Sequence, residues 1–135
     1  MTGSSMAAAA RELIGTPFCL QGRDPGTGLD CLGVVLAAIA GAGRSIPPLA
    51  RQPLRSRDTG HVETLARQAG LVAATGDILV GDVLLVRCSP VQLHLLVAVS
   101  ENTFVHAHAA LRRVVQSTRD PAWPIVAHWR LPAID

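Results

Sequence analysis

The spacing of apolar residues along the chain changes near residue 70. Before that point, apolar positions recur every three or four residues, which predicts helices over residues 7–14, 31–39 and 61–69. Glycines follow the second and third of these segments, as they follow many helices. The middle helix is apolar nearly all round, which is typical of a helix buried within a domain.

After residue 70, β-branched and apolar runs alternate with short polar breaks. This pattern predicts five strands, over residues 83–87, 93–99, 103–107, 113–116 and 125–130. Glu101 and Asn102 are expected to form the turn between the second and third strands. Helices followed by sequential strands predict an α+β fold in which the N-terminal helices pack on a mostly antiparallel sheet. We expect a single domain over residues 1–135, with residues 1–6 disordered.

Two segments rich in turn-forming residues interrupt the predicted helices. Residues 18–29 contain several glycines and one proline, so they are expected to form a surface loop. Residues 44–60 contain three prolines and show no regular spacing of apolar positions. Whether this second segment covers a binding cleft as a lid is left open by the sequence.

The composition excludes several classes of protein. Hydrophobic residues make up 49% of the chain and charged residues 16%, which is typical of a globular protein with a core. The net charge is only +2 and the arginines are scattered, so nucleic acid is not an expected partner. No apolar run approaches the roughly 18 residues of a membrane span, and no membrane insertion is expected. The N-terminus lacks the pattern of a signal peptide, so we expect synthesis in the cytoplasm without one.

One of the three cysteines stands at the predicted start of the apolar helix. Asp30 precedes Cys31 directly, and its carboxylate is a good N-cap for that helix. The helix dipole and the free N–H groups of the first turn are expected to favour the thiolate of Cys31. Cys31 is therefore a candidate nucleophile, provided that a base lies within reach.

Two histidines lie in consecutive predicted strands, His94 before the turn and His106 after it. If these strands form a hairpin, both imidazoles face the same side of the sheet. They would then supply the base and the orienting group that a cysteine nucleophile requires. His94 also has a structural interpretation, as an imidazole bonded to backbone within an apolar strand. A zinc site of Cys31, His106 and His108 is a further alternative, although no fourth ligand has the usual spacing, and we expect no metal.

The remaining cysteine, histidine and tryptophan side chains are expected to serve packing. Cys19 and Cys88 are interpreted as small apolar residues. Their spacing with Cys31 does not resemble a disulfide or zinc framework. His61, His128, Trp123 and Trp129 are expected to have no chemical role.

Three motifs of the chain resemble the NlpC/P60 family of papain-like cysteine peptidases, which cut bacterial cell-wall peptides. A Gly-x-Pro-aromatic stretch and an Asp-Cys-x-Gly motif, separated by a glycine-containing loop, stand at residues 15–18 and 30–33. A Gly-Asp pair before an apolar strand stands at residues 81–85 and is followed by His94. An aromatic-aliphatic-His-Ala strand stands at residues 104–107. The resemblance extends over residues 7–131 and implies the papain-like NlpC/P60 fold.

The resemblance also implies a role for each candidate residue. Cys31 would be the nucleophile, His94 the general base and acid, and His106 the orienting residue. Gln21 would donate to the oxyanion, although a polar loop residue is an equally good interpretation of it. Asp30 would lie near the free amine of the substrate, which is compatible with its role as an N-cap. The implied reaction is hydrolysis of the γ-D-glutamyl–diaminopimelate bond of peptidoglycan through an acyl-enzyme, with no cofactor.

Gln21 and the Asp-Cys-Leu-Gly variant most resemble the subgroup encoded with phage and phage-like tail genes. This implies tail-like assembly proteins as partners, and delivery to the cell wall or periplasm by such a particle. The chain departs from the family pattern at Leu32, where serine is usual, at Phe18, where tyrosine is usual, and at Leu95, where a small residue is usual. Two alternatives stay open: an acyltransferase or deamidase acting on another substrate, and an inactive structural module of a tail.

Overall fold

A six-stranded antiparallel sheet carries the second half of the chain. The computed structural model describes residues 2–49, 54 and 57–133. Its helices are α1 (Thr2–Glu12), α2 (Cys31–Gly41) and α3 (Gly60–Gln68). Its strands are β1 (Arg23–Asp24), β2 (Gly28–Leu29), β3 (Val72–Ala73), β4 (Val83–Ser89), β5 (Gln92–Ala98), β6 (Thr103–His108), β7 (Arg113–Thr118) and β8 (Ile125–Arg130). The mixture of N-terminal helices and antiparallel sheet confirms the predicted fold class.

All five predicted strands are present, as β4 to β8, and the order in the sheet is β3-β8-β4-β5-β6-β7. Strand β8 returns from the end of the chain to pair with β4, so the sheet is not a simple meander. The central strands β4 and β5 are buried on both faces, which accounts for their nearly continuous apolar sequence. Helix α2 packs its apolar side chains on one face of this sheet, against residues that include Leu95 and Val97.

Helix α1 begins five residues before its predicted start. Residues 2–6, which were expected to be disordered, form its N-terminal part, and the Met6 side chain is fully buried. A Cβ atom added at Gly3 would lie 2.3 Å from the carbonyl oxygen of Val80. The start of α1 therefore packs closely against the segment that connects β3 to β4. Tertiary packing, rather than helix propensity, therefore fixes this end of the helix.

Three very short strands are absent from the sequence prediction. Strands β1 and β2 pair with each other inside the predicted surface loop, and β3 pairs with β8 at the edge of the sheet. Each has two residues, too few to show the alternation by which a strand is recognised. Part of the irregular segment 44–60, namely residues 50–53, 55 and 56, lies outside the described residues.

Asp82 anchors the start of β4 to β8 from a fully buried position. Its carboxylate accepts hydrogen bonds from His128 Nε2 (2.6 Å), Arg130 Nε (2.7 Å) and Arg130 Nη2 (2.8 Å). The Leu79 N–H donates a fourth, at 2.8 Å. Burial alone would raise the pKa of Asp82, but the bonds from Arg130, Leu79 and His128 lower it below its ordinary value. His128 thus takes part in an ion-pair network that the sequence did not indicate.

The helices are short: α1 and α2 have 11 residues each, and α3 has 9. In the described part of the chain, none is long and apolar enough to cross a membrane.

Candidate active site

Cys31 occupies the first position of α2, and Asp30 caps that helix as predicted. Asp30 Oδ1 accepts a hydrogen bond of 2.7 Å from the Gly33 N–H. The glycine loop lies directly on this first turn, because a Cβ atom at Gly33 would be 2.2 Å from the Gly22 carbonyl oxygen. Glycine is required at position 33 for that approach. The cap and the loop together fix the position of the Cys31 backbone.

The Cys31 thiol is buried, with 7% of the residue exposed. Burial and the neighbouring Asp30 carboxylate raise its pKa to about 12, although the N–H groups of Leu95 and Leu32 lower it in part. The helix start was expected to favour the thiolate, but burial and the Asp30 charge favour the thiol instead. Cys31 therefore rests as a neutral thiol.

His94 and His106 are joined across the predicted hairpin. Strands β5 and β6 pair antiparallel, with Val97 opposite Val105, and His94 Nε2 lies 2.8 Å from His106 Nδ1. The two rings are nearly perpendicular, at 85°. The other nitrogen of His106, Nε2, lies 2.8 Å from Ser117 Oγ on β7. The predicted meeting of the two imidazoles is confirmed, and Ser117 extends it into a chain of three side chains.

Both imidazoles are neutral in the resting site. Burial and the neighbouring His106 and His108 rings lower the pKa of His94 to about 3. Burial and His108 lower the pKa of His106 to about 4. A neutral imidazole retains one nitrogen that can accept a proton, so His94 is in the protonation state that a general base requires.

All five residues predicted for the site line one cleft of about 600 Å³. They are Cys31, His94, His106, Gln21 and Asp30. Further lining comes mainly from apolar side chains, with a few polar ones: Phe18, Leu20, Leu54, Cys88, Gln92, Ala107, His108, Ala109, Ala110 and Trp123. A cavity of this size, mostly apolar and with a few convergent polar groups, is typical of a small-molecule or peptide site.

Cys88 and Trp123 were expected to serve packing alone, but both line this cleft. The ring of Trp123 stands edge-on to His94, with their centroids 6.0 Å apart. The turn that carries Trp123 is fixed by Arg119 Nη1, which donates to the Trp123 carbonyl at 2.8 Å. Trp123 therefore forms a wall beside the base, whereas Trp129 is buried in the core as expected.

Gln21 lies in the left-handed backbone region, with φ +57°. Among the described residues, Arg112 is the other non-glycine residue with a positive φ. A turn closed by the Gly22 N–H, which donates to the Cys19 carbonyl at 2.8 Å, holds Gln21 in this conformation. Strained backbone of this kind is concentrated at functional sites, because the surrounding structure must maintain it.

Arg23 is a partner of Asp30 that sequence reasoning missed. Its Nη1 donates to Asp30 Oδ1 at 2.9 Å, so the same oxygen that caps α2 is also paired with a guanidinium group. The pair spans the loop that contains β1 and β2. No spacing of apolar positions indicates such a contact, because it depends on the path of that loop.

The zinc alternative has no support in the geometry. Among the residues that the structure describes, no three His, Cys, Asp or Glu side chains are placed to hold a metal ion together. His106 and His108 share a face, with ring centroids 5.9 Å apart, but Cys31 does not complete a metal site with them.

Known proteins share the sequence pattern and the fold of this chain. The sequence model of the NlpC/P60 family matches residues 15–128, which include Cys31, His94 and His106. Among solved structures, NlpC2 from Trichomonas vaginalis is similar, with a TM-score of 0.69 and 19% identity over 96% of this chain and 46% of that one. The peptidoglycan hydrolase RipB from Mycobacterium tuberculosis is similar with a TM-score of 0.58 and 20% identity, over 96% of this chain and 63% of that one.

The NlpC/p60 domain of the peptidoglycan hydrolase SagA is also similar, with a TM-score of 0.58 and 23% identity, over 86% of this chain and 88% of that domain. At these identities the structural likeness shows a shared fold. The chain spans less than half of the length of NlpC2, at 46%. No curated protein sequence matches the chain at a significant level.

Proposed function

The chain belongs to the NlpC/P60 family, and on that premise we propose that it hydrolyses the γ-D-glutamyl–diaminopimelate bond of peptidoglycan stem peptides. Family membership supports the coarse assignment, a cysteine peptidase of the cell wall, and two similar structures are named as peptidoglycan hydrolases. The observation that carries the proposal is the cleft that holds Cys31 together with the bonded pair His94 and His106. The cleaved bond and the role of each residue belong to the proposal.

The hydrogen bonds of His94 support one direction of proton transfer. Since Nε2 of His94 is bonded to His106, Nδ1 is the nitrogen left to take the thiol proton of Cys31. For Nδ1 to accept, the proton of neutral His94 must reside on Nε2, which then donates to His106 Nδ1. His106 in turn carries its proton on Nε2 and donates to Ser117 Oγ. With the protons in these positions, the chain of bonds stabilises the tautomer of His94 that a base requires.

Nucleophilic attack would begin with the Cys31 thiol and the His94 imidazole both neutral. As the Cys31 sulfur bonds to the amide carbon, its proton passes to His94 Nδ1, and the carbonyl electron pair moves onto oxygen. The Cys31 N–H and the Gln21 side-chain amide would stabilise this oxyanion. His94 then protonates the leaving amine, and the C–N bond breaks to give a thioester. Water, deprotonated by His94, hydrolyses the thioester and releases the thiol.

Asp30 caps α2, and we propose that it also contacts the substrate. Both observed bonds, from the Gly33 N–H and from Arg23 Nη1, are to Oδ1 and leave Oδ2 unused by them. Because Asp30 lines the cleft, Oδ2 is our candidate partner for a substrate amine. Phe18 lines the same cleft where the family usually has tyrosine, so no hydroxyl is supplied from that position.

We also propose that tail-like assembly proteins deliver the enzyme to the cell wall or periplasm. The support is the resemblance of Gln21 and the Asp30–Gly33 motif to the subgroup encoded with phage and phage-like tail genes. Co-purification with tail-like proteins expressed beside the chain, followed by detection of the protein in purified particles, tests this proposal. Particles that lack the protein would contradict it.

The test of the function uses defined muropeptides and the purified protein. We expect the wild type to release the dipeptide that ends in D-glutamate, and Cys31→Ala to release none. Cys19→Ser, at an exposed cysteine that does not line the cleft, is the matched control and should retain wild-type hydrolysis. Intact muropeptides would contradict the proposal. Acyl transfer or deamidation of another substrate through Cys31 would then favour the first alternative, and a Cys31 that turns over no substrate would favour the structural module.

A further inference from the structure

His108 is a third imidazole of the cleft, and the proton chain described above does not use it. It lies at the end of β6 and is half-buried. It lies two residues beyond His106, on the same face of the strand, with the ring centroids 5.9 Å apart. Both nitrogens of His106 are already bonded, to His94 and to Ser117, so His108 is not a link in that chain.

The turn that follows β6 determines which nitrogen of His108 accepts a hydrogen bond. The Leu111 N–H donates to His108 Nδ1 at 3.1 Å. A backbone N–H has no acceptor lone pair, so Nδ1 must be the unprotonated nitrogen and the proton resides on Nε2. His108 Nδ1 is therefore occupied as an acceptor, and Nε2 carries the N–H that is left to donate.

The chemistry of the cleft indicates what this donor binds. Among the described residues that line it, none is Lys or Arg, and the side-chain amides come from Gln21 and Gln92. The scissile amide lies beside Cys31 and His94 in the proposed reaction. A donor two residues along the strand from His106 is therefore available to an oxygen of a neighbouring substrate residue.

We propose that His108 is a substrate-binding residue whose Nε2–H donates to an oxygen of the stem peptide next to the scissile bond. The proposal rests on the proposed function, since it takes the stem peptide as the substrate. The acceptor is a carbonyl or carboxylate oxygen, since the Nε2–H can donate to either. His108 contributes to binding and takes no proton from the nucleophile.

Steady-state kinetics of three variants test this role on a defined muropeptide. His108→Ala should raise KM about tenfold with kcat within about twofold of wild type, because one hydrogen bond to the bound substrate is lost. His108→Gln, whose amide N–H can reach the position of Nε2, should recover most of the wild-type KM. His61→Ala removes an imidazole from α3, outside the cleft, and should leave KM unchanged.

Two muropeptides that differ only at the α-carboxyl of D-glutamate, free or amidated, identify the acceptor. If His108 binds the carboxylate, the rise in KM caused by His108→Ala will be large for the free acid and small for the amide. If the rise in KM is the same for both muropeptides, the acceptor is a peptide carbonyl. Nitrogen-15 chemical shifts of the wild-type ring provide a test independent of the variants, and should report the Nε2–H tautomer.

An unchanged KM for His108→Ala, or an Nδ1–H tautomer in the wild type, would overturn the inference while leaving the proposed function intact. A fall in kcat with a shifted pH profile would also overturn it, since His108 would then act on the base. Failure of the wild type to cut any muropeptide would overturn the proposed function and this inference with it.

Discussion

The Nε2 atom of His94 lies 2.8 Å from the Nδ1 atom of His106, across the hairpin of β5 and β6. The bond links a residue near the start of one strand to a residue near the end of the next. It occupies one nitrogen of His94. In the proposed mechanism the other nitrogen takes the thiol proton of Cys31, and His106 acts as a positioning residue that sets the tautomer and the orientation of the base.

Removal of His106 should impair catalysis much more than binding. His106→Ala would leave the Nε2–H of His94 without its buried acceptor and the ring free to rotate. We expect kcat to fall about 100-fold with little change in KM, which is in the range that a positioned base contributes. Kinetics on a defined muropeptide measure both constants. A kcat within a few-fold of wild type would show that His94 does not depend on this bond.

Removal of the Ser117 hydroxyl should lower kcat less than removal of His106 does. Ser117→Ala removes the partner of His106 Nε2 at an exposed position of β7, where water can replace the hydroxyl. We expect kcat to fall about three- to tenfold, and Ser117→Thr, which retains a hydroxyl, to stay near wild type. Equal losses in the two variants would indicate that packing matters at this position, rather than the hydrogen bond.

The reactivity of Cys31 should show the pH dependence of a neutral thiol. Burial raises its pKa to about 12 and lowers the pKa of His94 to about 3. Iodoacetamide should therefore modify Cys31 about tenfold faster for each pH unit between about pH 7 and pH 10. Hydrolysis should persist into the acid range and fall only as His94 becomes protonated. Site-resolved mass spectrometry separates Cys31 from Cys19 and Cys88.

The rate of Cys31 alkylation should therefore not level off below about pH 8. Such a plateau would contradict a neutral Cys31 thiol beside a neutral His94. It would indicate a preformed thiolate–imidazolium pair, in which the thiolate is populated between the two pKa values. Denatured protein is the reference, since its thiols titrate near their ordinary pKa.

Arg23 and Asp30 should shift the reactivity of Cys31 in opposite directions. The Asp30 charge raises the pKa of the thiol, and Arg23 compensates that charge through a bond of 2.9 Å. Arg23→Met should therefore make Cys31 less reactive at a given pH, whereas Asp30→Asn, which retains a side-chain oxygen for the cap, should make it more reactive. Arg23→Lys is the charge-conserving control. Shifts of the same sign in both variants would refute this electrostatic explanation.

Asp82 should contribute to stability rather than to catalysis. Its carboxylate is fully buried and accepts bonds from His128 and Arg130. Asp82→Asn should lower the free energy of unfolding by about 2–4 kcal/mol, because buried donors lose a charged acceptor. Urea unfolding measures this loss, and a native-like midpoint for Asp82→Asn would exclude the network as a source of stability.

The same network predicts a pH dependence of stability. Because the pKa of Asp82 is lower in the folded protein than its ordinary value of 3.8, its stabilisation is present above that value. It is lost as the pH falls through the folded pKa. The difference in unfolding free energy between wild type and Asp82→Asn should therefore shrink in acid. A difference that does not change with pH would contradict the assignment.

The parts of the site that can be predicted from the sequence are those that residue type and short sequence spacing determine. The cap by Asp30 follows from residue type and position, and the meeting of His94 and His106 follows from a short hairpin with one turn. Strands β4 to β8 follow from apolar runs bounded by turn residues. Each of these features depends on interactions between residues that are close in sequence.

The features that sequence did not predict depend on details of strand register, loop path and burial that residue type and spacing do not encode. Ser117 reaches His106 through the register of β6 and β7, and Arg23 reaches Asp30 through the path of a glycine loop. The raised pKa of Cys31 depends on how deeply the thiol is buried, which no local pattern gives. The early start of α1 likewise depends on the close approach of Gly3 to the sheet connection.

The most direct test of the account is to trap the acyl-enzyme. Wild-type protein is mixed with a muropeptide, quenched in acid within the first turnover, digested, and analysed by mass spectrometry. The account predicts that the peptide containing Cys31 gains the mass of the acyl fragment, and that His94→Ala abolishes this gain. Cleavage of the muropeptide with no adduct on Cys31, or with the adduct on Cys88, would contradict it.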